Sequence, residues 1–266
     1  MPRSGSTLLA GILRQNPIIH AAMSSPLAGV LNGCLEQLGA HSEFYSFFDN
    51  DKRQAMCRAL FDAYYQDKES FEVIFDTNRI WTARLHQLAP LFGDGFKVIC
   101  CVRNPAWIMD SFERIYRKNP FDYSQMYTAQ SRQTVYARCE HIASGAGPYG
   151  QSWAALKEAY YGEFSDRLLL IDYDILTGHP QKAIQLIYQF LGLAEFAHDF
   201  DNVAYQESEF DHKLGVKGLH DVRRKVSFKP RPSILPPDLF AQFSEMAFWR
   251  DNAGTNASIV AAKKNE

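Results

Sequence analysis

The sequence predicts an α/β fold of three layers, a central parallel sheet with helices on both faces. Two observations predict it. Short apolar runs of strand length alternate along the chain with stretches of helical period, each run ending in turn or capping residues, as strand–crossover–strand units with right-handed connections require. The 266 residues are 46% hydrophobic and 22% charged, enough apolar material for a substantial core and neither disordered nor fibrous in composition. One domain is expected, because no internal repeat or low-complexity linker divides the chain.

The elements follow in order. Pro2-Arg3-Ser4-Gly5-Ser6-Thr7 is a small-residue turn that runs into the helix-periodic Leu8-Leu9-x-x-Ile12-Leu13, and Pro17 stops that helix. Residues 18–23 read as a short strand, 26–38 and 51–66 as helices, and Val73-Ile74-Phe75 as a strand ending at Asp76. Residues 81–91 read as a helix, followed by the apolar strand Lys97-Val98-Ile99-Cys100-Cys101-Val102. A helix over 104–117 begins with Pro105 in its first turn, and two more cover 131–143 and 149–162. Arg167-Leu168-Leu169-Leu170-Ile171-Asp172 is the last clear strand. The helix over 181–191 has its apolar face at Ala183, Ile184, Ile187, Phe190 and Leu191 and stops at Gly192.

A formal net charge of −2 argues against a general nucleic-acid binder, which needs a basic excess, so any anion site must be local. Five cysteines without CxxC spacing fit a reducing, cytoplasmic setting better than a disulfide framework. The apolar stretch after Arg3 is short for a signal peptide and closes in Arg14-Gln15-Asn16-Pro17. No run approaches the ~20 apolar residues of a membrane span.

The opening turn has the chemistry of an anion-binding loop. Successive amides of such a turn, with the unpaired donors and positive end of the following helix, cradle phosphate or sulfate oxygens. Ser6 and Thr7 add hydroxyls and Arg3 a fixed charge. The loop departs from GxxxxGK followed by Ser or Thr, having no upstream Gly and an Arg in place of the Lys, which weakens an ATPase reading. A solvated turn with a helix N-cap accounts for the same residues locally. A second motif bears on the choice. Arg103-Asn104-Pro105 leaves the carboxyl end of the Cys-Cys strand, where ligands of open α/β sheets bind, and Ser111 lies about two turns along the next helix.

Taken in order, the two motifs resemble the sulfotransferase family, whose donor is 3′-phosphoadenosine 5′-phosphosulfate (PAPS). The PRSG form is most similar to tyrosylprotein sulfotransferases and their bacterial relatives. The resemblance implies a P-loop nucleotide-kinase-like fold and a single sulfotransferase domain over residues 1–266. It implies that Arg3, Ser4, Gly5, Ser6 and Thr7 hold the 5′-phosphosulfate, and that Arg103 and Ser111 hold the 3′-phosphate. It further implies a late basic lid, and residues 212–231 match in place and charge: Lys213, Lys217, Arg223, Arg224, Lys225, Lys229 and Arg231 face one acid, Asp221. Within the lid Arg223, Arg224 and Lys225 are the candidate nucleotide contacts; the segment's glycines and prolines predict a mobile loop whose charge has no internal partner, and a plain solvated charged loop is the alternative.

The implied reaction is in-line transfer of a sulfuryl group to an acceptor hydroxyl, of a peptide tyrosine or a small molecule, with no nucleic acid as partner. It needs no metal in principle, since amides and guanidiniums can stabilise the transferred charge. Arg3 is the candidate for the leaving oxygen. Asn78-Arg79 resembles the Asn-Lys of tyrosylprotein enzymes and makes Arg79 a second candidate. At the position of those enzymes' catalytic Glu this chain has Ser24, which cannot serve unaided as a base. Asp76, at a strand's carboxyl end, is the preferred base, with a capping role toward Trp81 as its alternative; His20, Glu36 and His86 are weaker candidates. A P-loop phosphotransferase and a non-catalytic nucleotide-binding relative are the alternative functions. Sulfotransferases also carry a strand just before the loop, where this sequence has only Met1, so an N-terminal strand is expected to be missing, with a gap or exposed sheet edge beside Arg3.

Overall fold

The computed structural model describes residues 1–121, 126–205, 211, 213 and 220–261. Its strands are all parallel. β1 (Ile19–Ala21) pairs with β2 (Val73–Phe75), Ile19 opposite Val73. β3 (Val98–Val102), β4 (Leu168–Asp172) and β5 (Ser258–Val260) form a second sheet in that order. Among the described residues β3 has β4 as its only strand partner, and the Met1 amino group donates to the Cys101 carbonyl at 2.9 Å. The parallel strands are thus divided between two sheets, and the opening of the chain lies against β3.

Alternation along β3 and β4 builds the three layers. Cys101, Leu169 and Ile171 face one core with α1 (Ser6–Leu13), α8 (Tyr173–Gly178) and α9 (Pro180–Leu191). Cys100, Val102, Leu168 and Leu170 face the other, with α2 (Leu27–Leu38), α3 (Asn50–Tyr64), α4 (Leu85–Phe92) and α7 (Pro148–Tyr161). Both faces of these strands are buried, which is why they read as unbroken apolar runs rather than alternating ones. A third cluster joins α5 (Pro105–Lys118), α6 (Val135–Ala143) and α10 (Pro237–Ser244).

The structure corrects several expectations. The helix expected over 81–91 is broken: Asn78 accepts from the Ile80 amide and starts a 3-10 turn, Arg79–Ala83, and α4 begins only at Leu85. The helix expected from 131 starts at Val135, because the Thr134 hydroxyl accepts from the Ala137 amide and caps it there. Residues 168–172 are not the last strand, since β5 adds to the edge of β4. The short α8 follows β4 without a loop, its start fixed by the Asp172 carboxylate accepting from the Asp174 amide at 2.8 Å. Among the described residues no helix is long and apolar enough to cross a membrane.

Candidate active site

The opening loop has the backbone of an anion cradle. Arg3 (φ 57°) and Gly5 (φ 93°) both take positive φ, Arg3 being the only non-glycine residue to do so among those described. Such alternation turns neighbouring amides toward one point. Gly5 precedes α1 without a side-chain cap, so the first-turn amides of α1 keep their donors for another acceptor. Ser4 is buried and its hydroxyl donates to the Pro2 carbonyl, so its side chain serves the loop itself; Ser6 and Thr7 stand half-buried at the helix start. The loop rests on Tyr173, and a Cβ at Gly5 would lie 2.9 Å from the ring.

The second motif meets the first. Asn104 caps α5 through the Ala106 amide, Pro105 occupies its first turn, and Ser111 faces inward on it. The Arg3 Nε donates to the Ser111 Oγ at 3.0 Å across 108 residues of sequence. An Arg103 guanidinium nitrogen donates to the Arg3 carbonyl at 3.4 Å, and the guanidinium lies 4.2 Å from the centre of the Tyr173 ring. The Arg103 Nε is buried and has no hydrogen-bond partner among the described residues. Burial, and then the neighbouring Arg103 charge, lower the Arg3 pKa, and burial lowers that of Arg103. Burial also pushes the nearby Asp172 carboxyl up to about 6 and raises Asp174. Two guanidiniums share one partly desolvated corner beside acids whose ionisation is itself disfavoured, an arrangement that favours an incoming anion.

Asp76 is engaged in a different way. Its carboxylate accepts from the Ser25 hydroxyl at 2.6 Å, the Tyr65 hydroxyl at 2.8 Å and the Trp81 indole at 2.6 Å. It joins the turns after β1 and β2 to α3 and to the 3-10 turn that carries Arg79. The contact to Trp81 is with the indole, and the cap of that turn is Asn78 instead. Three donors therefore hold the Asp76 carboxylate in one orientation. Arg79 is exposed, and its charge acts on the Met1 amino group, on the side where the chain opens. Ser24 is exposed. His20 lies in β1 with its ring against Tyr65 and Phe71, and His86 is paired on the surface with Glu163.

The basic segment is more firmly held than its charge suggests. Lys225 is paired with Asp201 at 2.8 Å, and Arg231 with the buried Asp110 at 2.5 Å while lying over Trp107. Main-chain bonds from Val203 to the Arg224 carbonyl and from Val226 to the Phe200 carbonyl clip residues 224–226 along 200–203. Buried Val226 and Val203 anchor the clip in the core. This corrects the expectation of a segment without internal partners. Arg223 and Arg224 are exposed, and the Arg224 charge acts on Asp199. His212 and residues 214–219, Lys217 included, lie outside the described residues.

With this geometry in view, a family comparison decides the class: the model of the Sulfotransferase family matches residues 1–198. The chain belongs to the sulfotransferase family. Its reaction class is therefore sulfuryl transfer. Among solved structures it is similar to a domain described as the sulfotransferase domain from the Synechococcus PCC 7002 olefin synthase, at 21% identity, over 92% of this chain and 90% of that one, with a TM-score of 0.46. No curated protein matches the sequence. In this sulfotransferase, sequence reasoning missed Tyr173, the platform beneath Gly5 and Arg103. Its one local signal is the Asp-Tyr-Asp that begins at a buried strand's last residue.

Proposed function

We propose that the protein transfers the sulfuryl group of PAPS to the hydroxyl of a peptide tyrosine or a small metabolite. The observation that supports this most is the Arg3–Ser111 contact, which joins the anion loop to the second motif. The amides at the start of α1 hold the 5′-phosphosulfate, and Arg3 faces the oxygen that leaves with the nucleotide. Arg103 and Ser111 take the 3′-phosphate. The residues fit such a ligand on two counts. The Arg103 Nε needs an acceptor, and the first-turn amides of α1, with no side-chain cap, keep donors for one. Arg79 adds a second cation toward the transferred group, and Asp76 acts as a positioning residue. Arg223, Arg224 and Lys225 reach the nucleotide only if the clip along 200–203 opens. The Lys225–Asp201 pair opposes this little, being exposed and weak in water.

Purified protein incubated with sulfur-labelled PAPS and pools of tyrosine peptides, phenols and alcohols tests the reading. Label is expected in an acceptor without added divalent cation. Absence of transfer from every pool, together with failure to bind 3′,5′-adenosine bisphosphate, overturns it.

A further inference from the structure

Helices α2 and α3 form an antiparallel hairpin whose register is fixed at both ends. At its root, Ser25 and Tyr65, which flank the two helices, donate to the same Asp76 oxygen, Oδ2, at 2.6 and 2.8 Å. At its tip the Arg53 Nε donates to the Leu38 carbonyl at 2.9 Å. One helical turn from the tip toward the root, back along α2 and onward along α3, stand Cys34 and Cys57. The same register therefore sets them opposite each other. Cys34 lies in the inward stripe of α2 between Leu31 and Leu38, Cys57 lies one turn before Phe61, and all five belong to one core cluster. Helix axes packed about 8–10 Å apart bring directly facing Cα atoms within the roughly 4–7 Å that a disulfide spans. Both thiols are free, Cys57 buried and Cys34 half-buried. Burial, and then the neighbouring Cys34 thiol, push the Cys57 thiol up to about 11.

We infer that Cys34 and Cys57 are a dithiol modification site, oxidised by a peroxide to a reversible disulfide that staples α2 to α3. Cys34 is the point of entry, since it keeps exposed surface and Cys57 does not. Its thiolate attacks hydrogen peroxide, the O–O bond breaks, and hydroxide leaves a sulfenic acid on Cys34. The Cys57 sulfur then attacks that sulfur. The S–S bond forms as the S–O bond breaks, and the oxygen takes the Cys57 proton and departs as water. Two thiols thus lose two electrons and two protons, which reduce one peroxide to two waters. In a reducing setting the pair rests as thiols and closes only under oxidant. The staple lies in the hairpin whose root, at Asp76, also holds Trp81 of the turn that carries Arg79, so oxidation tightens the support of that turn.

The test treats the native full chain, as wild type, Cys34→Ser and Cys57→Ser, with hydrogen peroxide, alkylates the remaining thiols, and maps the peptides by mass spectrometry; melting is followed on the same samples. In wild type a peptide linking Cys34 to Cys57 is expected within one chain, and dithiothreitol should return both thiols. The linked protein should melt roughly 5–10 °C higher than the reduced one, because the bridge closes a loop that is open in the unfolded chain. In Cys34→Ser, Cys57 should stay reduced at the same dose; in Cys57→Ser, Cys34 should stop at a sulfenic acid that dimedone captures. The inference is overturned if both wild-type thiols remain open to alkylation at a dose that oxidises free cysteine in the same buffer. It is equally overturned if Cys34 of the wild type stops at a sulfur acid or bridges two chains, if the link forms only after unfolding, or if the linked protein melts no higher than the reduced one. The wild-type result decides the matter even where a serine variant fails to fold.

Discussion

Replacing Gly5 with alanine strikes the point where the anion loop, α1 and Tyr173 meet. Gly5 holds φ 93°, outside the narrow left-handed basin that L-residues tolerate, and the added methyl would stand 2.9 Å from the Tyr173 Cδ2 and 3.3 Å from its Cε2. The ring cannot simply swing away, because Arg103 stacks on it and it begins α8 directly after β4. Strain at such a position costs about 1–3 kcal/mol, which for a chain of this size corresponds to a melting temperature lower by roughly 2–10 °C. If relief comes by moving the loop, one charge-assisted bond to the phosphosulfate is lost. That is about 1.5–3 kcal/mol, or roughly ten- to hundredfold in affinity. Melting curves and calorimetric titration with 3′,5′-adenosine bisphosphate read the two effects. A Gly5→Ala protein that melts within about 1 °C of wild type and binds the bisphosphate equally well would refute the role given to this contact.

Asp76→Ala should act on the fold more than on the nucleotide: the Ser25, Tyr65 and Trp81 donors lose their acceptor, at about 1–3 kcal/mol for each left unmet in the interior, while bisphosphate affinity stays near wild type. A stable variant that binds nucleotide but has lost only kcat would return Asp76 to the role of base. Asp172→Asn tests the electrostatics beneath Arg103. The folded carboxyl, pushed up to about 6 by burial, titrates above its unfolded counterpart, so its ionisation weakens the native state as pH rises from about 4 to 6 and the loss persists above that. Asparagine keeps an acceptor for the Asp174 amide without the charge. The variant should therefore gain melting temperature over wild type at pH 8 and gain little at pH 4; equal differences at both would contradict the assignment.

The strands that build the two cores were legible because both of their faces are buried: Cys100 and Cys101 point to opposite cores, so the whole run is apolar. β5 was not, since three residues flanked by alanines become a strand only by lying against β4. The helix expected over 81–91 failed for a local reason, as the Asn78 side chain outcompetes helix initiation with a tighter turn. The opening turn and the Arg103 to Ser111 stretch stood out in the sequence because each sits at a fixed place between a strand or turn and a helix. Lys225 and Arg231 could not, because their partners, Asp201 and Asp110, are brought to them by tertiary structure alone.

The affinity of the wild-type protein for 3′,5′-adenosine bisphosphate relative to 5′-AMP, measured side by side with Arg103→Ala, tests the central claim most directly. The two nucleotides differ only in the 3′-phosphate. If Arg103 and Ser111 hold that phosphate, the bisphosphate binds at least about tenfold more tightly, at roughly 1.5–3 kcal/mol for each charge-assisted contact, and Arg103→Ala removes most of the preference while leaving 5′-AMP binding nearly unchanged. Equal affinities of the wild-type protein for the two nucleotides would contradict the account.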